Sequence, residues 1–428
     1  MGAALATAGA ASLPVTAAAR IRAGQDDDTI ARLGAQLARH AGFGDKESGT
    51  FGELATADWI ASELQASGFA LRTDSFTIPR FEARVAMLQL GSRQIAVKPQ
   101  PVVVPTSAAG ITAGACIIRR PYQAKDAAGH IAFVVAPYGR HASINSAEIK
   151  PLLAAAVTNG AAAIIIVPEG PTGGIIGLNT NLQPVADIPM AILAPADFAV
   201  IEQALAEGQP ATLTISGEHL QKESRNIIAT RSAGQRWIVF TTPRTGWFTA
   251  AAERGTGTAV FLELARWAIH AFPHHSLLAI NSGAHELAFA GMHRAMADVP
   301  PPASVDAWAH IGAGLATHDR LMLGNRSLGL LPTAEAQRVL MTTAGLLPMA
   351  KAAFDGLSGF ERPIVPVKGA GELSGIIDAG YARVFGGLGV HPWFHTAEDT
   401  LDKTDPGLLL PVLHAHMRFI TALVTSAS

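Results

Sequence analysis

Cysteine is nearly absent from this sequence, which has one in 428 residues, Cys116. A single cysteine excludes an intramolecular disulfide, a cysteine-rich zinc site and a CxxC redox pair. Cys116 lies in the apolar run "GACIIRR", which favours a buried structural thiol over a reactive one. The sequence therefore does not point to cysteine chemistry.

Charge is also scarce. Asp, Glu, Lys and Arg make up only 15% of the residues, and the formal net charge is −2 at pH 7. This balance gives no sign of nucleic acid or of an anionic membrane surface as a partner. After the N-terminal region we find no stretch long and apolar enough to cross a bilayer, so we predict no membrane span.

Several common catalytic motifs are missing. The sequence has no GxSxG elbow, no HExxH, no Walker A loop and no GxGxxG, because "GAGLAT" lacks the third glycine. It gives no support for a serine hydrolase of the elbow type, a zincin, a P-loop NTPase or a dinucleotide-binding domain.

Hydrophobic residues, in contrast, make up 49% of the chain, and its length exceeds that of one ordinary domain, so we expect two domains. Residues 1–24 form an apolar run of small residues with an Ala-x-Ala stretch at Ala17–Ala19. These features are typical of an export signal and predict a periplasmic or secreted protein. The alternative is an Ala-rich leader that is not a targeting signal.

The pattern of apolar and polar residues divides the remainder of the chain into segments. Residues 83–217 differ in texture from residues 25–82 and 218–428 and contain few candidate catalytic residues, and after Arg225 the chain alternates strands and helices in the manner of an α/β sheet. Apolar runs predict strands at 236–242, 276–282, 305–312 and 381–387, and periodicity predicts helices at 256–271, 286–297 and 405–425. In open α/β sheets, ligands bind beyond the carboxyl ends of the strands.

Four polar residues follow these predicted elements: Glu253, His285, Glu286 and His395. Two carboxylates and an imidazole can hold one zinc ion and leave a position for water, and His285 could then move the proton. Spacing alone does not distinguish such a site from scattered polar residues.

The sequence around these residues resembles the M28 family of co-catalytic zinc aminopeptidases and carboxypeptidases. Three segments carry the resemblance: "ERGTGTAVFLELAR", "SGAHELAFAGMHRAM" and "FHTAEDTLDKTDPGLL". They are similar to the family patterns DDxSGxAxLLELAR, GxEExGLxGSxxY and HTxxDTxDKIDxxLL. The resemblance implies an M28-type (phosphorylase/hydrolase-like) mixed sheet flanked by helices. Within residues 83–217, "GHIAFVV", "NGAAAIIIV" and "DIPMAIL" resemble a protease-associated (PA) domain. This resemblance implies that residues 83–217 are a small β-rich domain inserted into one M28-like domain made of residues 25–82 and 218–428.

The resemblance also implies how the site has changed. Two family ligands that serve only the first metal align with Pro243 and Ala309, which cannot bind a metal. The ligand positions of the second metal align with Glu253, Glu286 and His395, which implies one zinc per chain. His285 stands where the family has its glutamate base, and Asp399 is expected to orient a group of the site.

The place of the first metal raises a further expectation. A guanidinium of Arg244 or Arg254 could stand there and act on a substrate carboxylate or an oxyanion, although each could simply be a surface arginine. We expect His310 to lie on the opposite face of its strand from Ala309, as a core histidine.

Two functions remain open. The first is a one-metal hydrolase that acts on peptide or other amide C–N bonds. The second is a metal-free pseudoenzyme that binds peptides or partners through the former active-site cleft. The sequence gives no prediction of oligomeric state.

Overall fold

The chain folds into a large mixed sheet, a smaller second sheet and the helices that cover them. The structure is a computed structural model and describes residues 17–139, 143–323, 326–366 and 371–427. The described helices are α1 (Ala17–Gly42), α2 (Phe51–Ala66), α3 (Lys150–Thr158), α4 (Pro195–Ala206), α5 (Glu253–Ala271), α6 (Ala290–Ala295), α7 (Leu347–Ala353), α8 (Glu372–Asp378) and α9 (Pro406–Ala427).

The described strands fall into three groups. The large sheet contains β1 (Ala70–Leu90), β2 (Arg93–Ala96), β4 (Ile111–Ala113), β9 (Ala211–Arg231), β10 (Trp237–Pro243), β11 (Ser276–Ser282), β12 (Val305–Ile311), β15 (Arg338–Thr342) and β16 (Val384–Gly389). The second sheet contains β3 (Lys98–Pro99), β5 (Ala115–Ile118), β6 (Ile131–Ala136), β7 (Ala163–Pro168) and β8 (Met190–Ile192). A hairpin pairs β13 (His318–Leu323) with β14 (Arg326–Ala334).

Four parallel strands form the centre of the large sheet, in the order β16-β12-β10-β11. Every residue of β11 and β12 is buried, as expected where helices cover both faces of a parallel sheet. Because the parallel strands end at the same edge, residues that follow β10, β11 and β12 are brought together. This sheet, with its flanking helices and small second sheet, confirms the predicted fold class.

Strands β1 and β9 connect the two parts of the molecule. They pair antiparallel along their whole length, from Ala70↔Thr230 to Leu90↔Ala211, with an irregularity between Ala83 and Val85. The predicted boundaries of the inserted domain, at residues 83 and 217, fall inside these continuous strands. The pairing of β1 with β9 therefore ties the residues between these two strands, 91–210, to the large sheet through backbone hydrogen bonds. Residues 91–210 contain the second sheet and are called the insert below.

Helix α9 is long and apolar enough, by length and composition, to cross a membrane, which the sequence analysis overlooked. Slightly more than half of its most apolar window is buried inside the protein, at 56%. Its apolar side chains lie in the same core cluster as those of α5 and the large sheet. This burial accounts for the apolar composition of α9 as that of a core helix.

One predicted helix differs markedly from the structure. The segment 286–297 was expected to be a single helix, but α6 starts only at Ala290 and ends at Ala295. Ala288 and Phe289 have φ angles of 52° and 58°, which interrupt a right-handed helix. The interrupted segment carries His285 and Glu286, two residues of the candidate site.

Candidate functional site

A cavity of about 610 Å³ opens at the carboxyl ends of the parallel strands. Both parts of the molecule line it. The large-sheet domain contributes Pro243, Arg254, His285, His310, Glu372 and His395, among others, and the insert contributes Ser143, Asn145 and Asn179. The cavity lies where the topology of an α/β sheet places ligands.

The backbone around this cavity is strained. Six described residues other than glycine have left-handed φ angles: Phe248, Ala250, Ala284, Ala288, Phe289 and His395. All six lie in three loops, those before α5, around His285 and at His395. Such conformations cost on the order of 1–3 kcal/mol each and concentrate at functional sites. The strain supports the assignment of these loops to a ligand site.

Glu253 and His395 meet at the wall of the cavity. Glu253 Oε1 lies 3.3 Å from His395 Nε2, and both side chains are buried. Asp399 fixes Glu253, since its carboxylate accepts hydrogen bonds from the backbone N–H groups of Ala252 and Glu253, at 2.9 and 3.0 Å. Burial alone would raise the pKa of Glu253, but the charges of His395 and Arg254 outweigh it and lower that pKa to about 2. Glu253 is therefore ionised at neutral pH.

The insert contacts the loops that carry the site. His395 Nδ1 lies 2.9 Å from Gly177 O, and the N–H of Gly177 donates to His395 O at 2.8 Å. The N–H of Thr180 donates to Glu286 O at 2.7 Å. Gly177 leaves room for this contact, because a Cβ there would lie 2.3 Å from the Trp247 ring. The insert thus orients His395 as well as lining the cavity.

Glu286 has a hydrogen-bond partner at only one of its two carboxyl oxygens. Its Oε2 accepts a hydrogen bond from Ser48 Oγ at 2.7 Å, whereas Oε1 has no hydrogen-bond partner among the described residues. Burial raises the pKa of Glu286 to about 7, although the Ser48 hydrogen bond opposes that shift. The carboxyl group therefore holds its proton for part of the time near neutral pH.

Arg254 brings a permanent positive charge into the site. The residue is only 3% exposed, and its Nη2 lies 3.1 Å from Glu253 Oε1. The stem of the side chain passes Gly246, where an added Cβ would lie 3.2 Å from Arg254 Cγ. The guanidinium lies close enough to Glu253 and Glu286 to lower the pKa of both carboxyl groups. The structure thus places a cation beside two of the predicted zinc ligands.

The three predicted ligands do not form a metal site as they stand. Four of their atoms, Glu253 Oε1 and Oε2, Glu286 Oε1 and His395 Nε2, lack a hydrogen-bond partner in the described part of the chain, as ligand atoms would. However, no group of three or more His, Cys, Asp or Glu among the described residues is arranged to hold a metal ion. Arg254 already supplies a cation to Glu253. This arrangement does not fit a zinc ion.

His285 is held by a partner that the sequence analysis missed. Its ring Nδ1 lies 2.8 Å from Glu372 Oε1, and its backbone N–H donates to Thr245 Oγ1 at 2.8 Å. Burial raises the pKa of Glu372, while burial and the charge of Arg254 lower that of His285 well below its usual value. Both shifts disfavour the charged form of each group.

The structure separates the two candidate arginines. Arg244 is fully buried, pairs with Glu53 and donates to Asn281 Oδ1 at 3.1 Å, away from the residues that line the cavity. It links α2 to the large sheet. Of the two, only Arg254 lines the cavity.

His310 and Ala309 lie on opposite faces of β12, as expected, but His310 borders the cavity rather than the hydrophobic core. His310 lines the cavity, with Nδ1 2.9 Å from Thr241 Oγ1, whereas Ala309 packs into the hydrophobic core. The alternation along β12 therefore directs position 310, rather than position 309, toward the site. Burial lowers the pKa of His310 to about 4, so the imidazole is neutral at pH 7.

Comparisons with known proteins agree on the fold. The structure is similar to the zinc aminopeptidase BSAP from Bacillus subtilis, with a TM-score of 0.72, 18% identity and coverage of 92% of this chain and 94% of that one. It is also similar to a peptidase M28 precursor from Shewanella amazonensis, with a TM-score of 0.70, 17% identity and coverage of 95% and 96%. The chain therefore has the fold of the M28 zinc aminopeptidases.

Among individual proteins, the chain is 23% identical over 401 residues to the probable lipoprotein aminopeptidase LpqL of Mycobacterium tuberculosis. The match covers 86% of this chain and 78% of that protein. No protein-family model matches the sequence.

Proposed function

We propose that this chain is an aminopeptidase-like protein that takes a peptide or another small amide into the cavity, and that it does so without a metal ion. The observation that carries this proposal is the Arg254 guanidinium against Glu253. Glu253 aligns with the carboxylate that bridges the metals in M28 enzymes. A guanidinium at that carboxylate supplies positive charge where the related enzymes named above use zinc.

The groups that line the cavity suit a ligand with carbonyl or carboxylate oxygens. Arg254 donates through its guanidinium, and His285, held at Nδ1 by Glu372, adds its imidazole to the same lining. Phe289 and Phe394 add apolar surface to the same cavity. A peptide combines carbonyl oxygens, a terminal carboxylate and apolar side chains, and therefore complements this wall.

The proposal is tested by calorimetry with the metal-free protein. We expect di- and tripeptides with a free carboxylate to bind, and Arg254→Met to weaken that binding by about tenfold or more. The matched control is Arg266→Met on the same helix, where Arg266 pairs with Glu63 and Glu263 instead. Peptide binding that is absent, or that is the same in Arg254→Met, would contradict the proposal.

The one-zinc hydrolase is the second candidate. The observation in its favour is that four buried atoms of Glu253, Glu286 and His395, each able to bind a metal, lack hydrogen-bond partners in the described structure. Elemental analysis of untagged protein, purified without chelator, separates the two candidates. One zinc per chain that is lost in Glu286→Ala, together with cleavage of aminoacyl amides, would support the hydrolase and refute the metal-free form.

Two further expectations from the sequence belong to this proposal. We propose that the second sheet is a PA-like module that helps to hold the ligand, since its loops line the cavity and contact His395. We also propose that the protein is exported, because residues 1–24 resemble an export signal and the relative LpqL is described as a lipoprotein. Residues 1–16 lie outside the described structure, and residues 17–24 belong to α1.

A further inference from the structure

Several buried side-chain oxygen and nitrogen atoms near Arg254 could bind a further group. Glu253 Oε1 and Oε2, Glu286 Oε1 and His395 Nε2 are buried and make no hydrogen bond within the described residues. A buried polar group without a partner costs free energy, so such atoms normally face a ligand, a water molecule or an ion. Here the group that faces Glu253 is the guanidinium of Arg254, at 3.1 Å.

Several contacts hold that guanidinium in place. Arg254 lies on the first turn of α5, and Asp399 fixes this turn through the backbone N–H groups of Ala252 and Glu253. Gly246 lets the arginine stem pass close to the backbone of the preceding loop. With 3% exposure, the side chain has little room to turn toward solvent.

A fixed guanidinium and a divalent cation cannot share this space. The two charges repel each other, and burial reduces the screening by solvent. A cation that bound Glu253 would also have to displace the existing ion pair between Glu253 and Arg254. The same carboxylate, left without Arg254, would be a buried charge without a counterion and would gain from binding a cation.

We infer that Arg254 takes the place of a divalent cation and excludes it. Shortening this side chain frees Glu253 and His395, whose Oε1 and Nε2 atoms lie 3.3 Å apart, to bind a cation, and the buried Glu286 side chain must turn to join them as the third ligand. This inference deepens the metal-free form of the proposed function. It does not depend on which ligand enters the cavity, so its test is independent of peptide binding. Two carboxylates and an imidazole are ligands that suit zinc or cobalt.

The test compares the wild type with Arg254→Ala, which removes both the charge and the bulk. After loading with Zn²⁺ and extensive dialysis, we expect one zinc per chain in Arg254→Ala and none in the wild type. Zinc should also raise the Tm of Arg254→Ala, because an ion that binds only the folded state stabilises it. Co²⁺ gives a second readout through the visible absorption of the bound ion.

Three matched variants define the cause. Arg254→Lys keeps a positive charge and should still exclude zinc. Arg254→Ala/Glu286→Ala removes a proposed ligand and should lose the bound zinc. Arg266→Ala, on the same helix but paired with Glu63 and Glu263, should behave as the wild type does.

Two results would overturn the inference. One is stoichiometric zinc in the wild type, which would show that Arg254 does not exclude a cation. The other is a folded Arg254→Ala protein, by circular dichroism, that binds no zinc. If Arg254→Ala does not fold, Arg254→Met preserves the packing of the stem without the charge, and the same zinc measurement on that variant decides the question.

Discussion

Glu253 and Arg254, consecutive residues at the start of α5, form an ion pair in which Glu253 Oε1 and Arg254 Nη2 are 3.1 Å apart. Neighbouring residues on a helix normally point in different directions and do not meet. This pair forms because Asp399 fixes the first turn and the arginine stem passes over Gly246. The local geometry of one helix start thus brings a cation to the carboxylate at the centre of the site.

The first prediction concerns Arg244, which is fully buried against Glu53. Arg244→Met leaves the Glu53 carboxylate buried without its cation, and breaking a buried pair in this way costs about 3–5 kcal/mol. Urea unfolding of the variant measures this loss. Arg84→Met, which breaks a pair with Glu218 in which both side chains are exposed, should cost no more than about 1 kcal/mol. Equal effects of the two substitutions would contradict a structural role for Arg244.

The second prediction concerns Glu372 as the positioning residue for His285. Glu372→Ala removes the partner of His285 Nδ1 and should weaken peptide binding by about tenfold. Glu372→Asp should restore part of the affinity, whereas a purely structural defect would lower the Tm without such rescue. The control is Asp378→Ala, an exposed carboxylate on the same helix. Unchanged affinity in a folded Glu372→Ala protein would refute this role.

The third prediction concerns the contact between the insert and the site. A Cβ at Gly177 would lie 2.3 Å from the Trp247 ring, so Gly177→Ala must displace the ring or the backbone that holds His395. Overpacking of this kind costs about 1–3 kcal/mol, and a matching decrease in Tm is expected by calorimetry. Gly345→Ala provides the control, because nothing lies within 4 Å of a Cβ there. A Tm equal to that of the control would contradict this close approach.

The fourth prediction is a pH dependence that arises far from the cavity. His416 is buried between the rings of Phe354 and Phe385, and burial lowers its pKa to about 4. In the unfolded chain the pKa of this histidine is about 6.5, so below that pH the unfolded chain binds a proton at His416 that the folded chain does not bind. The free energy of unfolding therefore decreases by roughly 3 kcal/mol, through His416, as the pH falls from about 6.5 to about 4.

Urea unfolding between pH 4 and pH 7 tests this dependence. His416→Leu should reduce the loss of stability on the acid side, since leucine does not titrate. His414→Leu, the same substitution at a half-exposed position on the same helix, provides the control. If the profiles of His416→Leu and the wild type coincide, the assignment to His416 is wrong.

Much of the fold could be predicted because its signals are local. Helix α5 was expected at 256–271 and runs from Glu253 to Ala271, and α9 was expected at 405–425 and runs from Pro406 to Ala427. Apolar runs also located β10, β11 and β12. The start of α6 could not be predicted in the same way, because left-handed backbone at Ala288 and Phe289 is imposed by the surrounding loops rather than by their own side chains.

The sequence by itself determined the α/β fold class, because hydrophobic periodicity is a property of short stretches of the chain. Tertiary structure decided which arginine enters the cavity, since Arg244 and Arg254 follow the same strand and only packing directs one to Glu53 and the other to Glu253. It also brought together residues far apart in the chain, such as His285 and Glu372, or Gly177 and His395. Contacts of that range depend on how β1 and β9 join the insert to the large sheet, and no local pattern encodes them.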